Sequence, residues 1–308
     1  MSPDDAHSND DSLDNSEHIA DLFDSSSQIV QPALWLVATP IGNLRDITLR
    51  AVDVLRAATL ICCEDTRRTG RLLTMLGIDR SKTDVKLLVA NEHTEYNVVD
   101  EVLNALSHHG VVAVVTDAGT PGISDPGALL VRAAIDNNYP VLTAPGATAF
   151  VAAAIVSGLP TTHLSFDGFL PRSGVERSAQ ISAIATDTRT VVLYEAPHRL
   201  VRTIDDLITV CGPDRRIALC REITKMHEET WRGTLGQAKE LLAVHEPRGE
   251  YVIVIAPFEE SRTEITDEHI AMLLNQRVSQ GSSKKSAVDE VARELGIARN
   301  RVYRISLQ

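Results

Sequence analysis

Short apolar runs alternate along most of this chain with amphipathic stretches at helical spacing, and clusters of glycine, proline or charge punctuate them. Leu34-Trp35-Leu36-Val37-Ala38-Thr39 is such a run, closed by Pro40-Ile41-Gly42-Asn43. Between 46 and 58, Ile47, Leu49, Val52 and Leu55 recur at broadly helical spacing. Residues 59–63 predict a strand ending in Glu64-Asp65-Thr66-Arg67-Arg68. A helix around Leu72 to Leu76 then leads to a strand at 85–89. A further helix over 97–108 reaches the strand 111–115. Alternation with connections this short implies a largely parallel sheet flanked by helices, an α/β fold.

The second half begins at Tyr139-Pro140-Val141-Leu142-Thr143, followed by Ala144-Pro145-Gly146 and a small-residue helix over 147–157 that Gly158-Leu159-Pro160 stops. Strands are predicted at 164–169, 190–194, 216–220 and 251–256, with helices at 175–184, 198–210 and 234–243. The break between two α/β domains is placed near Thr143. A short helical unit follows Pro257. In it, Ala287, Val288, Val291, Ala292 and Leu295 share one face, Gly296-Ile297-Ala298 turns, and Val302 and Ile305 open a second face. That pattern is helix-turn-helix-like. The predicted organisation is an acidic tail over 1–33, α/β domains over 34–143 and 144–258, and a helical unit over 259–308.

Charge changes the picture in two places. Eight carboxylates and no Lys or Arg fall within the first 33 residues, so most of the chain's net charge of −12 belongs to a tail read as disordered. From 282 to 308 the balance reverses, with six basic residues against three acidic ones, the sign a phosphate backbone requires. No apolar run approaches the ~20 residues of a membrane span, and no signal peptide is read at the start, so the expected location is the cytoplasm. The four cysteines follow neither metal nor disulfide spacing and are read as reduced structural thiols. No His/Asp/Glu set has ligand spacing, so no metal is expected.

The densest chemistry lies in Asp117-Ala118-Gly119-Thr120-Pro121-Gly122-Ile123-Ser124-Asp125-Pro126-Gly127. Three glycines and two prolines between a strand and a helix suit backbone against which a ligand lies, at the strand end where open α/β sheets bind small molecules. Asp125-Pro126 reads as an N-cap and first helical residue. There is no GxGxxG opening a helix and no GxxxxGK[ST], which counts against NAD and against a P-loop. Glu64-Asp65-Thr66-Arg67, Tyr194-Glu195-Ala196-Pro197-His198-Arg199 and Arg221-Glu222-Ile223-Thr224-Lys225 each follow a predicted strand. Each also has a bland reading as a solvated charge run or helix start. They meet in one cleft if the two sheets face each other.

Taken in order, these motifs resemble the ribosomal RNA small subunit methyltransferase I family, within the tetrapyrrole-methylase-like S-adenosylmethionine enzymes. The carrying residues are Ala38-Thr39-Pro40-Ile41-Gly42-Asn43-Leu44, Asp46-Ile47-Thr48-Leu49-Arg50-Ala51, Glu64-Asp65-Thr66-Arg67 and the loop from Asp117 to Gly127. Pro145-Gly146-Ala147, Gly158-Leu159-Pro160, Phe166 through Pro171-Arg172, and Tyr194-Glu195-Ala196-Pro197-His198-Arg199-Leu200 continue the series. The resemblance implies two α/β domains of tetrapyrrole-methylase type with the active site in the cleft between them, a homodimer, and S-adenosylmethionine as cofactor. It implies 2′-O-methylation of a cytidine ribose in the decoding region of 16S rRNA, within the small ribosomal subunit.

By the same resemblance, Asp117, Ala118, Gly119, Thr120, Ile123 and Ser124 cradle the cofactor with Pro40, Pro145, Gly146, Ala147, Thr148 and Tyr194. Candidates for a base or orienting group are Glu64, Asp65, Asp125, Glu195, Glu222 and Lys225, with Asp65, Glu195 and Lys225 put forward. Asn43, Glu64, Arg67, Arg199 and Arg221 are expected to meet the RNA. Two rival readings remain open at the level of sequence. One is a methylase of a small molecule such as a tetrapyrrole precursor, the other a nucleic-acid-binding regulator acting through the C-terminal helices.

Overall fold

The computed structural model describes residues 30–79, 85–91, 94–259 and 266–307. The acidic tail read from the sequence lies, through residue 29, outside the described residues. The chain divides into two compact units, one through Pro257 and a second from Phe258.

The first sheet is formed by β1 (Ala33–Val37), β2 (Leu60–Cys63), β3 (Lys86–Val89), β4 (Val111–Val114) and β5 (Val141–Ala144), in the order β3-β2-β4-β1-β5 with every pair parallel. Its helices are α1 (Leu49–Ala57), α2 (Thr66–Met75), α3 (Val99–Ser107) and α4 (Ala128–Asp136). Sequence and position agree here: β2 and β4 read LICC and VVAV and every residue of each is buried, as a parallel strand covered on both faces demands. The structure starts α2 at Thr66, six residues before the predicted stretch, because Asp65 caps it by accepting the Arg67 N–H.

The second sheet contains β6 (Leu164–Phe169), β7 (Thr190–Glu195), β8 (Arg216–Arg221), β9 (Glu229–Thr234) and β10 (Tyr251–Ile255), in the order β6-β7-β10-β8-β9. Only β6 and β7 are parallel; β10 runs antiparallel between β7 and β8, and β9 is the antiparallel edge. Helices α5 (Ala149–Ser157), α6 (Gly174–Thr186), α7 (Pro197–Cys211) and α8 (Leu235–Val244) cover it. In α7 a proline opens the helix and Leu200, Thr203, Ile204 and Leu207 make one buried stripe. Each of its aliphatic side chains contributes about 1.5–3 kcal/mol by leaving water. The sequence pattern does not predict β9, because Glu-Thr-Trp-Arg-Gly-Thr carries no apolar alternation strong enough to be read.

The second unit packs α9 (Asp267–Ser279), α10 (Lys284–Leu295) and α11 (Arg299–Ile305) around Ile270, Leu274, Val288, Val291 and Val302. Gly296, with φ 62°, ends α10 in the left-handed conformation that lets the chain turn into α11. Helix α9 is likewise an addition to the expected elements. None of the four cysteines is in a disulfide among the described residues, and burial pushes the Cys62 thiol up to about 12, which leaves it inert.

Candidate active site

The carboxyl ends of the parallel strands hold the first half of the site. The loop after β4 folds back onto the loop after β1: the Thr39 N–H donates to the Gly119 carbonyl at 2.8 Å, and the Gly119 N–H returns a bond to the Thr39 carbonyl at 3.1 Å. Gly119 has φ +95°, a conformation that favours glycine. The Thr120 hydroxyl donates to the Ala147 carbonyl and meets the Thr148 hydroxyl at 2.7 Å, tying the same loop to the end of β5.

Three carboxylates converge there. Glu64, just past β2, accepts the Asp117 N–H at 2.9 Å. Asp117 pairs through Oδ2 with Arg68 Nη1 at 3.0 Å, while its Oδ1 is buried without a hydrogen-bond partner among the described residues. Burial, then the charges of Glu64 and Asp117, push the Asp125 carboxyl up to about 7. The expected N-cap role of Asp125 is corrected by the structure. Helix α4 begins at Ala128, and the buried Glu95 carboxylate accepts the N–H groups of Gly127 and Leu130 at 3.0 Å each. Glu95 does the capping, and Asp125 lines the cavity.

The second sheet supplies the opposite wall. Phe150, Phe166, Tyr194 and Phe169 form a chain of ring contacts with centroids 4.4, 4.9 and 5.5 Å apart. The Tyr194 hydroxyl accepts the Phe150 N–H at 3.2 Å, and burial raises its pKa. Lys225 donates to Glu222 Oε1 at 2.9 Å and Glu250 Oε2 at 2.7 Å. Burial disfavours its charge, but these two hydrogen bonds prevail and hold its pKa above the usual value.

The two halves meet closely. A Cβ on Gly42 would lie 2.4 Å from Lys225 Cγ and 2.7 Å from Thr224 Oγ1, and one on Gly168 would lie 2.8 Å from Ser124 Oγ. Between them is a cavity of about 420 Å³ lined from both sheets, within the size range of small-molecule sites. Among the described residues, Glu64, Asp117, Asp125, Glu195 and Glu250 line it against Arg68 and Lys225 as the cations, so its field is acidic.

Of the residues put forward from sequence, Glu64, Asp117, Ala118, Gly119, Thr120, Ile123, Ser124, Thr148, Tyr194, Glu195 and Lys225 line this cavity. Pro145, Gly146 and Ala147 do not line it, although the Ala147 carbonyl accepts from Thr120. Gly146 packs so closely on Ala38 that a Cβ would lie 3.0 Å from the alanine's own. Several of the expected residues lie off this wall or are engaged with protein groups. Asp65 is off the wall, and the Arg67 N–H holds its carboxyl below the usual range. Glu195 is buried and committed to the Ala196 N–H, the Thr203 hydroxyl and Arg199. Arg199 is spent on Glu195 and the Leu170 carbonyl, and Arg221 on Glu229 and the Arg248 carbonyl. Asn43 caps the 3-10 turn Leu44–Asp46, and the Arg67 side chain is almost fully exposed. The structure adds Arg68, Phe169 and Glu250, which the sequence does not single out. Of these, Arg68 carries a signal, since it directly follows Arg67 in the first turn of α2.

The tetrapyrrole (corrin/porphyrin) methylase family model matches residues 33–239. A ribosomal RNA small subunit methyltransferase I from a Synechocystis strain is 41% identical over 276 residues, covering 89% of this chain and 97% of that protein. Among solved structures, a cobalt precorrin-4 methyltransferase of cobalamin biosynthesis superposes with a TM-score of 0.55 at 18% identity, over 73% of this chain and 95% of that one. A uroporphyrin-III C-methyltransferase from Thermus thermophilus complexed with S-adenosyl homocysteine gives 0.51 at 19%, over 73% and 97%. At that identity the two structures speak to the fold alone. The fold, the cavity at the strand ends and the similarity over 89% of the chain agree: the chain belongs to the tetrapyrrole methylase family and, within it, to the ribosomal RNA small subunit methyltransferase I group.

Proposed function

We propose that the protein is an S-adenosylmethionine-dependent methyltransferase that modifies the 2′-hydroxyl of a cytidine ribose in the decoding region of 16S rRNA, in the cytoplasm. The observation that carries the reading, beside the family, is the Oδ1 of Asp117, buried without a partner among the described residues in an acidic cavity of ligand size. A buried acceptor without a partner costs about 1–3 kcal/mol, and a cationic ligand with amine and hydroxyl donors relieves that cost. S-adenosylmethionine, when bound, supplies a methyl group on a positively charged sulfur. Backbone from Asp117 to Ser124, with Thr148 and Tyr194, holds it.

The ribose hydroxyl must also lose a proton. Among the carboxylates, Asp125 is the one suited to accept it. This side chain lines the cavity, and its pKa of about 7 matches a base that works near neutrality. Glu195 has both oxygens engaged, and Lys225 is held protonated by two carboxylates. A bound cation favours the charged form of Asp125, so cofactor and base act together.

The helical unit contacts the RNA. Arg277, Arg299 and Arg301 are paired internally with Glu294, Asp289 and Asp267. Lys284, Lys285, Arg293 and Arg304 are exposed, with no ion pair among the described residues, and suit phosphate contacts. Two copies associate through α5, which is apolar all round and leaves Val151, Ile155 and Val156 exposed. No helix among the described residues is long and apolar enough to cross a membrane.

The test is incubation with labelled S-adenosylmethionine and unmethylated small ribosomal subunits, followed by mapping of the label. Label on one cytidine ribose is the expected outcome. Cofactor binding with no labelled RNA would sink the substrate assignment and favour a small-molecule acceptor. Removal of the chain after Pro257 is expected to spare cofactor binding and weaken RNA methylation.

A further inference from the structure

A second cavity of about 370 Å³ adjoins the first, between α2 and the segment around Pro40–Leu44. The two share a wall made by Arg68 and Asp117. We propose that this neighbouring cavity is the subsite for the nucleotide that flanks the methylated one, with its phosphate on Arg71 and Arg68. The inference rests on the rRNA-methyltransferase reading above.

The electrostatics require a place of this kind. A ribose hydroxyl has to enter a cavity lined by five carboxylates and two cations, which disfavours the phosphates on either side of it. The polyanion therefore needs an anchor immediately outside. In the neighbouring cavity the balance reverses, with Arg68 and Arg71 against Asp117 alone. Asp117 is already engaged with Arg68. Arg71 is exposed and has no ion-pair partner among the described residues.

The rest of the lining suits a nucleotide better than a free anion. Pro40, Leu44, Leu72 and Met75 give an apolar side for a base or sugar to lie on, and Met75 is half exposed. Arg71 and Arg67 also line a more open cleft along α2, with Asp79 on its wall, and the two arginines extend the cationic surface away from the shared wall. Pro40 and Arg67, which the first cavity left unused, thereby gain a place beside the RNA.

The experiment compares full-length wild type with Arg71→Ala, Arg71→Lys and Met75→Glu, using unmethylated small subunits and labelled cofactor. Arg71→Ala is expected to raise the KM for subunits about tenfold and to reduce the slope of log affinity on log salt by about one. Arg71→Lys recovers part of the loss, because the charge remains without the guanidinium fork. Met75→Glu, at an exposed position that spares the core, raises the same KM by repelling phosphate. The dissociation constant for S-adenosylmethionine, measured by calorimetry, stays at the wild-type value in all three. Unchanged subunit KM in both Arg71→Ala and Met75→Glu would overturn the subsite while leaving the methyltransferase reading intact. Weakened cofactor binding would overturn it too, by giving the cavity to the cofactor. A wild-type protein that binds cofactor and labels no subunit RNA would overturn both.

Discussion

The two sheets contribute to one cavity by different means. The all-parallel sheet offers backbone and carboxylates: Gly119 in a left-handed conformation, an Asp117 oxygen without a partner, and an Asp125 carboxyl pushed up to about 7. The mixed sheet offers aromatic rings and side chains already committed to one another, among them Glu195 with Arg199 and Thr203, and Lys225 with Glu222 and Glu250. Polar groups left unsatisfied in a folded protein are available to a ligand, whereas satisfied ones shape the wall. On the proposed reading, the first half binds the cofactor and takes the proton, and the second gives the cavity its rigidity.

The sharpest way to break this contrast is Asp125→Asn. With the base removed, the rate of methyl transfer is expected to fall about 100-fold or more while the protein still folds. Linkage supplies an independent readout. A folded carboxyl with a raised pKa contributes stability that is fully present below the ordinary carboxylate range and is lost as pH rises through about 7. Wild-type melting temperature should accordingly drop across that window, and the asparagine variant should lose most of that slope. An unchanged rate would move the base elsewhere. Asp117→Ala comes next, with cofactor affinity expected to fall about 30-fold, equivalent to roughly 2 kcal/mol. Unaltered affinity in a calorimetric titration would remove the β4 loop from the site.

Gly42→Ala tests how the halves are joined. The new Cβ would meet Lys225 Cγ, Thr224 Oγ1 and the Ile223 carbonyl at 2.4, 2.7 and 3.1 Å. The lysine stem can swing aside, but Thr224 sits at φ +66° in a turn with little freedom. A roughly tenfold loss in kcat/KM is expected, from a cavity forced open rather than from any lost group. Activity equal to wild type would show that the approach of the two loops is not needed for catalysis.

The first half is also the more legible in the sequence. Apolar or nearly apolar strands, each followed by a loop rich in glycine, proline or carboxylates, announce both the parallel sheet and the side of it that binds ligands. The glycines of the β4 loop read as backbone lying against something, and the loop lines the cavity. What the letters do not carry is which carboxylate is free. Asp65, Asp125 and Glu195 look alike in a string of residues. Only the fold shows that a helix start claims Asp65, that Glu95 displaces Asp125 from its expected cap, and that Arg199 and Thr203 saturate Glu195. The second half hides more. Its edge strand β9 has a polar sequence and pairs only on one side, so its identity depends on β8 beside it. The cations follow the same rule: Arg199 and Arg221 are expected at the RNA, and each is held by a neighbouring carbonyl and carboxylate.

The smallest effect on catalysis belongs to Thr203→Val, and it sharpens the comparison from the other side. Thr203 is fully buried in α7, donates to Glu195 Oε2 at 2.6 Å and accepts from Arg177 Nη2 at 2.9 Å. Arg177 in turn binds Asp206 and the Pro171 carbonyl, so the hydroxyl joins a chain of polar contacts running from the cavity wall in among α6 and α7. Valine keeps the shape and removes both bonds, leaving a buried carboxylate oxygen one donor short. The expected cost is about 1–3 kcal/mol of stability, seen as a melting temperature lower by several degrees, with kcat within about twofold of wild type. Glu195 would still line the cavity, held by Arg199 and the Ala196 N–H. If kcat fell as steeply as in Asp125→Asn while stability held, Glu195 would be acting on the substrate through Thr203, and the division between a chemical half and a supporting half would have to be abandoned.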